Sequence, residues 1–529
     1  MNGLELVVLI GAIILLGGWL AGRLRISAPL VLLGLGAILG FIPVLGDVEL
    51  PPDLVLLLFL PALLYWESLN TSAREIRRNL RVITLNAVPL VLVTAGVVAL
   101  IGHAFGLPWS VAIALGAVVA PTDATAVAAV VRHMPRRTLT ILRTESLIND
   151  GTALAVYGVA VAAAVMERDI DFGEGTLRFL LSYAGGILIG LAVAALAIGL
   201  RRLVRGNSLL ENTVSLLTPF LAYLPAELLD VSGVVAVVAA GLTLSRFGPR
   251  IVSAATRSQS TSFWRLATYI LNGSLFVLVG FQLLAVIADI DGDWQNAIAL
   301  GLLVSLAVIV VRLAWSNTTP YVIRALDRRP IQRTMRVSAR QRLPSAWAGF
   351  RGAVSLAAAL ALPETTANGS PFPGRDLIIA ATICVILVTL IVQGSTIAAV
   401  VRWAQLPTDP TEQEEERLAQ LAGIEAAAAA IPGEAERLGI PQEVREILQR
   451  EYAERLENVR SAQDDDPERV AQREATDHEG ELRLALFPHK REAIIRLRDE
   501  GKIDDVVLRR LQAHVDIEEI RLSPIRQEE

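Results

Sequence analysis

Cysteine is all but missing from this chain of 529 residues: Cys384 is the only one, so no intrachain disulfide can form and redox compartment leaves no mark. The five histidines, His103, His133, His478, His489 and His514, are scattered without ligand spacing, which argues against a metal site. No serine, cysteine or metal constellation accompanies the acids described below, so a membrane-embedded hydrolase is excluded, no cofactor is implied, and the chain does not read as an enzyme. The amino end lacks a basic stretch and a small-residue cleavage site, so Leu4 to Leu20 reads as a retained span rather than a signal peptide. Nothing in the charge pattern suggests nucleic acid as a partner.

Apolar residues are abundant, at 53%, with a mean hydropathy of +0.51. Charge is unevenly shared. Up to Leu406 there are 30 arginines against 22 acids; from Pro407 onward 18 basic residues face 31 acids, so +8 and −13 combine to the net −5. This predicts a basic membrane domain over residues 1–405 and an acidic, mostly helical cytoplasmic tail over 406–529.

Apolar runs begin at Leu4–Ala21, Ala28–Val44, Asp53–Leu69, Val82–Phe105, Trp109–Val131 and Thr138–Val165. They continue at Leu177–Leu203, Leu209–Leu228, Val231–Ser245, Phe263–Ala288, Ala297–Ile323, Ser345–Leu362 and Asp376–Trp403. The expectation is an all-α polytopic membrane protein of roughly 13 transmembrane helices. Arginines mark alternate loops: Arg23 and Arg25, Arg74 to Arg81, Arg132 to Arg137, Arg201 to Arg205, Arg246 to Arg257, and Arg324 to Arg342. The positive-inside rule then sets the amino end outside and the tail in the cytoplasm. An arrangement of six spans, a linking span and six more suggests inverted repeats. The fifth span of each half is interrupted, at Pro121-Thr122-Asp123 and at Gly349-Phe350-Arg351-Gly352, and such broken helices line midplane sites in secondary transporters. In the tail, the pattern predicts helices over Glu412–Ile431, Gln442–Ser461 and Gln472–Gln512, the last bending near Pro488, with a linker at Asp464 to Pro467. The tail reads as a helical coat serving dimerisation or regulation.

Within the apolar runs sit acids that a lipid-embedded helix cannot carry cheaply. Asp123 lies at the first break; Glu145, Ser146, Asn149 and Asp150 follow in the sixth span. Residues four apart share a helix face, so Ser146 and Asp150 line one and Glu145 and Asn149 an adjacent one. Asp150, Ser146 and the freed carbonyls around Thr122 and Asp123 offer hard oxygens of the kind that replace a small cation's water. Burial raises a carboxyl pKa and a bound cation lowers it, so one buried carboxylate can hold either a proton or a cation, and that competition is an exchange reaction. Glu145 pairs with Arg351 in this reading, and Asn149 bonds Thr122 across the site. Asp123 either coordinates the ion or caps a half-helix. Glu67, at the cytoplasmic end of its span, either draws cations to the entrance or is a solvated helix end, and Arg143 snorkels to the cytoplasmic face.

Three stretches carry a family resemblance: P-T-D at Pro121 to Asp123, E-S-L-I-N-D at Glu145 to Asp150, and W-A-G-F-R-G-A-V-S-L-A at Trp347 to Ala357. With L-L-Y-W-E-S-L-N, L-F-V-L-V-G-F-Q-L and I-V-Q-G-S-T, they resemble, in order along the membrane part, the sodium/proton exchangers of the monovalent cation–proton antiporter family, NhaP-like branch. The tail segment R-L-R-D-E-G-K-I-D-D is also similar to bacterial members. The resemblance implies a homodimer whose mobile core carries two crossed, unwound helices. It also implies an electroneutral Asn149-Asp150 pair, with ion and proton at Asp150 and with Ser146, Thr122 and Asp123 around the ion. Glu145–Arg351 would be the family's structural ion pair. Two positions depart from the pattern: Thr144 stands where relatives usually have glycine, and Arg143 where many have glutamate.

The function expected is antiport of cytoplasmic Na+, or Li+, against external protons across the cell membrane, serving pH and sodium homeostasis. Alternatives are a K+/H+ antiporter regulated by the tail, and an ion-binding membrane sensor with the tail as output.

Overall fold

Long apolar runs without internal partners for their backbone can satisfy their amides in lipid only as helices. The computed structural model accordingly contains no strand among its described residues, which are 3–24, 27–41, 55–71, 73–123, 136–168, 172–289, 294–326, 338–406, 411–460, 467–500, 502 and 504–522. By internal contacts the chain divides into two compact units, Met1–Pro407 and Thr408–Glu529.

The first unit begins with α1 (Gly3–Leu24) and α2 (Ala28–Gly40). A π-helical turn, Val55–Phe59, leads into α3 (Leu60–Leu69), followed by α4 (Ala73–Ala104) and α5 (Trp109–Val119). Then come α6 (Arg136–Val165), α7 (Phe172–Leu203), α8 (Ser208–Leu228), α9 (Gly233–Ile251), α10 (Ala254–Asp289) and α11 (Trp294–Leu326). The remainder is α12 (Ala339–Trp347), α13 (Ala353–Leu360), α14 (Arg375–Val388), a second π-helical turn at Thr389–Gln393, and α15 (Gly394–Ala404). Among the described residues, six stretches, Ile141–Val165, Gly175–Leu203 and Trp294–Val322 among them, are long and apolar enough to cross a membrane. The outward faces are leucine-rich. On α7, Leu177, Leu181, Leu188 and Leu196 are exposed, as a lipid-facing surface requires.

Local chemistry explains most boundaries. Asn207 caps α8 by accepting from the Leu209 and Leu210 amides, and Ser338 with Gln341 forms a capping box on α12. The expected start of the fourth span at Val82 falls short: α4 begins at Ala73, because the Ala-Arg-Glu-Ile-Arg-Arg stretch is made of good helix formers and extends the helix rather than a loop. The interruption of the fifth span is present, with α5 ending at Val119; 124–131 of that span lie outside the described residues. The second interruption separates α12 from α13 over 348–352. At about 1.5 Å per residue, α5, α12 and α13 are each too short to cross a bilayer alone.

Two apolar clusters hold the unit together. One gathers Leu115, Val118, Phe350, Leu356, Ile379 and Ile386 from the broken helices and α14; the other gathers Tyr65, Leu147, Ala194, Val237 and Trp264 from α3, α6, α7, α9 and α10. Glycines permit the tightest crossings. A Cβ on Gly36 of α2 would strike the Val277 carbonyl of α10, and one on Gly280 of α10 would strike the Leu33 carbonyl of α2.

The second unit holds α16 (Thr411–Leu438), α17 (Gln442–Arg460), α18 (Pro467–Asp499) and α19 (Asp505–Leu522). Arg460 pairs with Glu425 across α16 and α17 at 2.8 Å, while Arg491 reaches Asp516 and Glu519 across α18 and α19. The bend expected at Pro488 is displaced: α18 continues through that proline and ends at Asp499, where Gly501 follows in sequence. Of the expected linker, Asp464 to Asp466 lie outside the described residues, and Pro467 opens α18.

Candidate functional site

The two interruptions meet. The backbone amide of Asp123 donates to the Phe350 carbonyl at 2.8 Å, joining the break after α5 to the break before α13. Each half-helix end is matched by opposite charge. Arg351 Nε donates to the Val119 carbonyl at 2.9 Å, setting a guanidinium at the carboxyl end of α5. The Asp123 carboxylate lies against Gly352, the N-cap of α13, so closely that any Cβ there would overlap it. This sets the Asp123 carboxylate at the amino-terminal end of α13.

Helix α6 fixes the first break from the side. Ser146 Oγ donates to the Thr122 carbonyl in a short contact. Asn149 and Thr122 Oγ1 are 3.2 Å apart; with its oxygen turned to the threonine hydroxyl, the Asn149 amide also donates to the carbonyls of Glu145 and Ala87, each at 3.3 Å. Asp150, one residue further, is 2% exposed, and its Oδ1 has no hydrogen-bond partner among the described residues. Ser146, Asn149 and Asp150 thus come from two adjacent faces of one buried helix, and the first two hold the irregular segment at Thr122. A buried oxygen left without a donor calls for an explanation in function.

Glu67 corrects the alternative of a solvated helix end. Its Oε1 is shielded from solvent and has no hydrogen-bond partner among the described residues. It stands within electrostatic range of Asp123 and Arg143, and Asp150 in turn feels Glu67 and Asp123. Arg143, in the second turn of α6, therefore lies within electrostatic range of Glu67. The three carboxylates converge in potential, but no three acidic, histidine or cysteine side chains among the described residues come close enough to chelate a metal.

The expected Glu145–Arg351 ion pair is replaced by another. Glu145 Oε1 is 2.8 Å from Arg312 Nη1 of α11, with the two side chains 10% and 5% exposed. Arg312 Nη2 also donates to the Ser345 carbonyl at 3.3 Å. Arg351 lies within electrostatic range of both, yet its own donors go to the carbonyls of Val119 and Gly349. The reason is physical: the freed carbonyls of the break need donors at short range, and Arg351 is part of that break. Arg312 is not among the residues that the sequence motifs single out. The signal was available as one arginine inside the apolar run V-I-V-V-R-L-A-W.

A family model described as sodium/hydrogen exchanger, transmembrane, matches residues 11–403. An uncharacterized Na+/H+ exchanger of Mycobacterium tuberculosis is 46% identical over 525 residues, covering 98% of this chain and 96% of the relative. An uncharacterized Na+/H+ exchanger of Escherichia coli is 32% identical, with 94% of each chain covered. A protein of Bacillus subtilis called sodium, potassium, lithium and rubidium/H+ antiporter is 30% identical, over 92% of this chain and 73% of its own length. Among solved structures, the sodium proton antiporter MjNhaP1 of Methanocaldococcus jannaschii superposes with a TM-score of 0.56 at 20% identity, covering 74% of this chain and all of that one, which supports the fold.

Proposed function

The chain belongs to the sodium/hydrogen exchanger family, a family of transporters and not enzymes, and from that premise we propose that it exchanges one cytoplasmic Na+ for one external proton at Asp150 by alternating access. The observation that carries the reading is the buried, unpartnered Oδ1 of Asp150, one helical turn from the Ser146 whose hydroxyl holds the Thr122 carbonyl. That oxygen takes either a proton or, with its neutral neighbours, a dehydrated monovalent cation. Thr122, Ser146 and Asp123 complete the ion's oxygens, Glu67 adds a further carboxylate, and Asn149 orients Thr122.

Charge balance supports a single-charge exchange. Counted together as ionised, Glu67, Asp123, Glu145 and Asp150 exceed Arg143, Arg312 and Arg351 by one negative charge. One proton or one monovalent cation neutralises the set, and a site that must never be left charged in hydrocarbon releases one only for the other. Residues 1–405 would then form the antiport domain in inverted six-span repeats, and residues 406–529 a cytoplasmic tail, in a cell-membrane homodimer with the amino end outside. The Bacillus subtilis relative, a sodium, potassium, lithium and rubidium/H+ antiporter, supports a second cation assignment, in which K+ or Li+ takes the place of Na+.

The test is proton flux in proteoliposomes on addition of Na+, Li+ or K+, with wild type and Asp150→Asn in parallel. Dissipation by wild type alone, unchanged when membrane potential is clamped with valinomycin and K+, is the expected result. Flux in the variant equal to wild type would remove Asp150 from the site. Silence with every cation, from folded protein, would leave the ion-binding sensor as the reading.

A further inference from the structure

Three arginines stand within electrostatic range of the acids around the site, and two of them are spent. Arg312 holds Glu145 at 2.8 Å, and Arg351 gives its donors to the Val119 and Gly349 carbonyls. Arg143 is not held in this way. Its side chain is half-buried in the second turn of α6, and among the described residues neither a hydrogen bond nor an ion pair engages its guanidinium. Glu67 is the acid that feels it, and the Glu67 Oε1, shielded from solvent, has no hydrogen-bond partner among the described residues either. The two opposite charges act on each other without touching.

Their separation matters to any cation bound nearby. In a contact pair such as Glu145–Arg312 the two fields largely cancel at a short distance, whereas a guanidinium held off its acid keeps its field. That field runs along α6. Residues seven apart lie within about 20° of one another on an α-helix, and residues three apart are neighbours on the same side, so Arg143, Ser146 and Asp150 follow one face. At about 1.5 Å per residue, Arg143 stands roughly 10 Å along the axis from Asp150, on the Ser146 side. Glu67 acts on Asp150 as well, so it links the arginine to the ion-binding carboxylate electrostatically. A unit charge about 10 Å from a cation, at an effective dielectric of about 20, moves its binding equilibrium by on the order of tenfold.

We propose that Arg143 sets the cation affinity of the transport site: its positive charge opposes the bound cation from the amino-terminal side of α6, so the site binds more weakly and releases sooner. The inference rests on the antiport reading in placing the cation at Asp150. A cation held tightly by Asp150, Asp123, Ser146 and Thr122 would leave slowly, and an exchanger must shed it once in every cycle. Arg143 shortens that step while lowering affinity.

The test uses the full chain at constant ionic strength, with N-methylglucamine replaced by Na+, Li+ or K+. Affinity is read in detergent as the cation concentration that half-saturates the rise in thermal midpoint, and turnover as proton flux in proteoliposomes. Arg143→Gln is expected to lower the half-saturating concentration about tenfold and to reduce the maximal rate, while Arg143→Lys, which keeps the charge, stays within about threefold of wild type in both. An arginine with a merely structural role would lower the midpoint without added cation and leave the affinity of the folded protein unchanged. If Arg143→Gln does not elute as one species, Arg143→Met gives the same comparison. Unchanged or weaker binding in the charge-free variant overturns the proposal, as does tighter binding with an undiminished maximal rate, or an Arg143→Lys protein that behaves like Arg143→Gln. A midpoint that no cation raises overturns it too. Binding without flux in wild type removes the antiport reading and leaves the affinity comparison to decide this one, whereas flux with equal affinities removes this one alone.

Discussion

The replacement of Glu145–Arg351 by Glu145–Arg312 makes a quantitative prediction. Glu145 and Arg312 are almost wholly buried and 2.8 Å apart. Removing either partner leaves the other as an uncompensated charge in a low-dielectric interior, which costs about 3–5 kcal/mol. Arg312→Met and Glu145→Gln should each approach that loss, while the double variant removes both charges and recovers much of it. The interaction energy of this cycle is expected to exceed about 2 kcal/mol. The parallel cycle of Glu145→Gln with Arg351→Met should return about 1 kcal/mol or less, because Arg351 spends its donors on the Val119 and Gly349 carbonyls and feels Glu145 only at longer range. Reversible unfolding in mixed micelles, followed by tryptophan fluorescence, measures all six proteins. A larger coupling for the Arg351 cycle than for the Arg312 cycle would refute the assignment.

Three other outcomes follow from the geometry. Ser146→Ala removes the donor to the Thr122 carbonyl, and a loss of about 1 kcal/mol corresponds to roughly fivefold weaker apparent cation affinity with folding retained, read as the cation concentration at half-maximal flux. Gly352→Ala introduces a Cβ into the space of the Asp123 carboxylate, so flux should fall to background while the protein still elutes as one species; normal flux would mean that Asp123 is free to move aside. Truncation after Leu406 keeps the Trp403 carbonyl that accepts from Arg340 and follows the boundary between the two contact units, so the shortened protein should remain monodisperse and retain flux. Aggregation of that variant would show that the tail is required for the membrane part to fold.

The breaks were legible because their causes are local. Proline at 121 and glycines at 349 and 352 stand in apolar runs directly beside polar and ionisable residues, Thr122, Asp123 and Arg351, which cannot be idle there. Ser146, Asn149 and Asp150 were legible from helical spacing alone. Less accessible was everything that depends on which helices become neighbours. Glu145 had two arginines of the same charge to choose between, and only the packing of α11 against α12 selects Arg312. Glu67 looked like a helix end near basic residues, and only the fold turns it toward Asp150. In the tail, Pro488 carried a strong local signal for a bend, yet the helix runs on through it and stops at Asp499.

The reciprocal crossing of Gly36 and Gly280 has an evolutionary consequence. Most helix contacts are negotiable, since a larger residue on one side is accommodated by a smaller one opposite. At this crossing each glycine faces the other helix's main chain, not a side chain, and there is no smaller residue to which either position can retreat. A substitution at Gly36 therefore has no suppressor at Gly280, nor the reverse. Revertants selected from either variant should restore the glycine itself or arise at positions that shift the axis of α2 or α10, which makes this pair a fixed point around which the rest of the interface is free to drift.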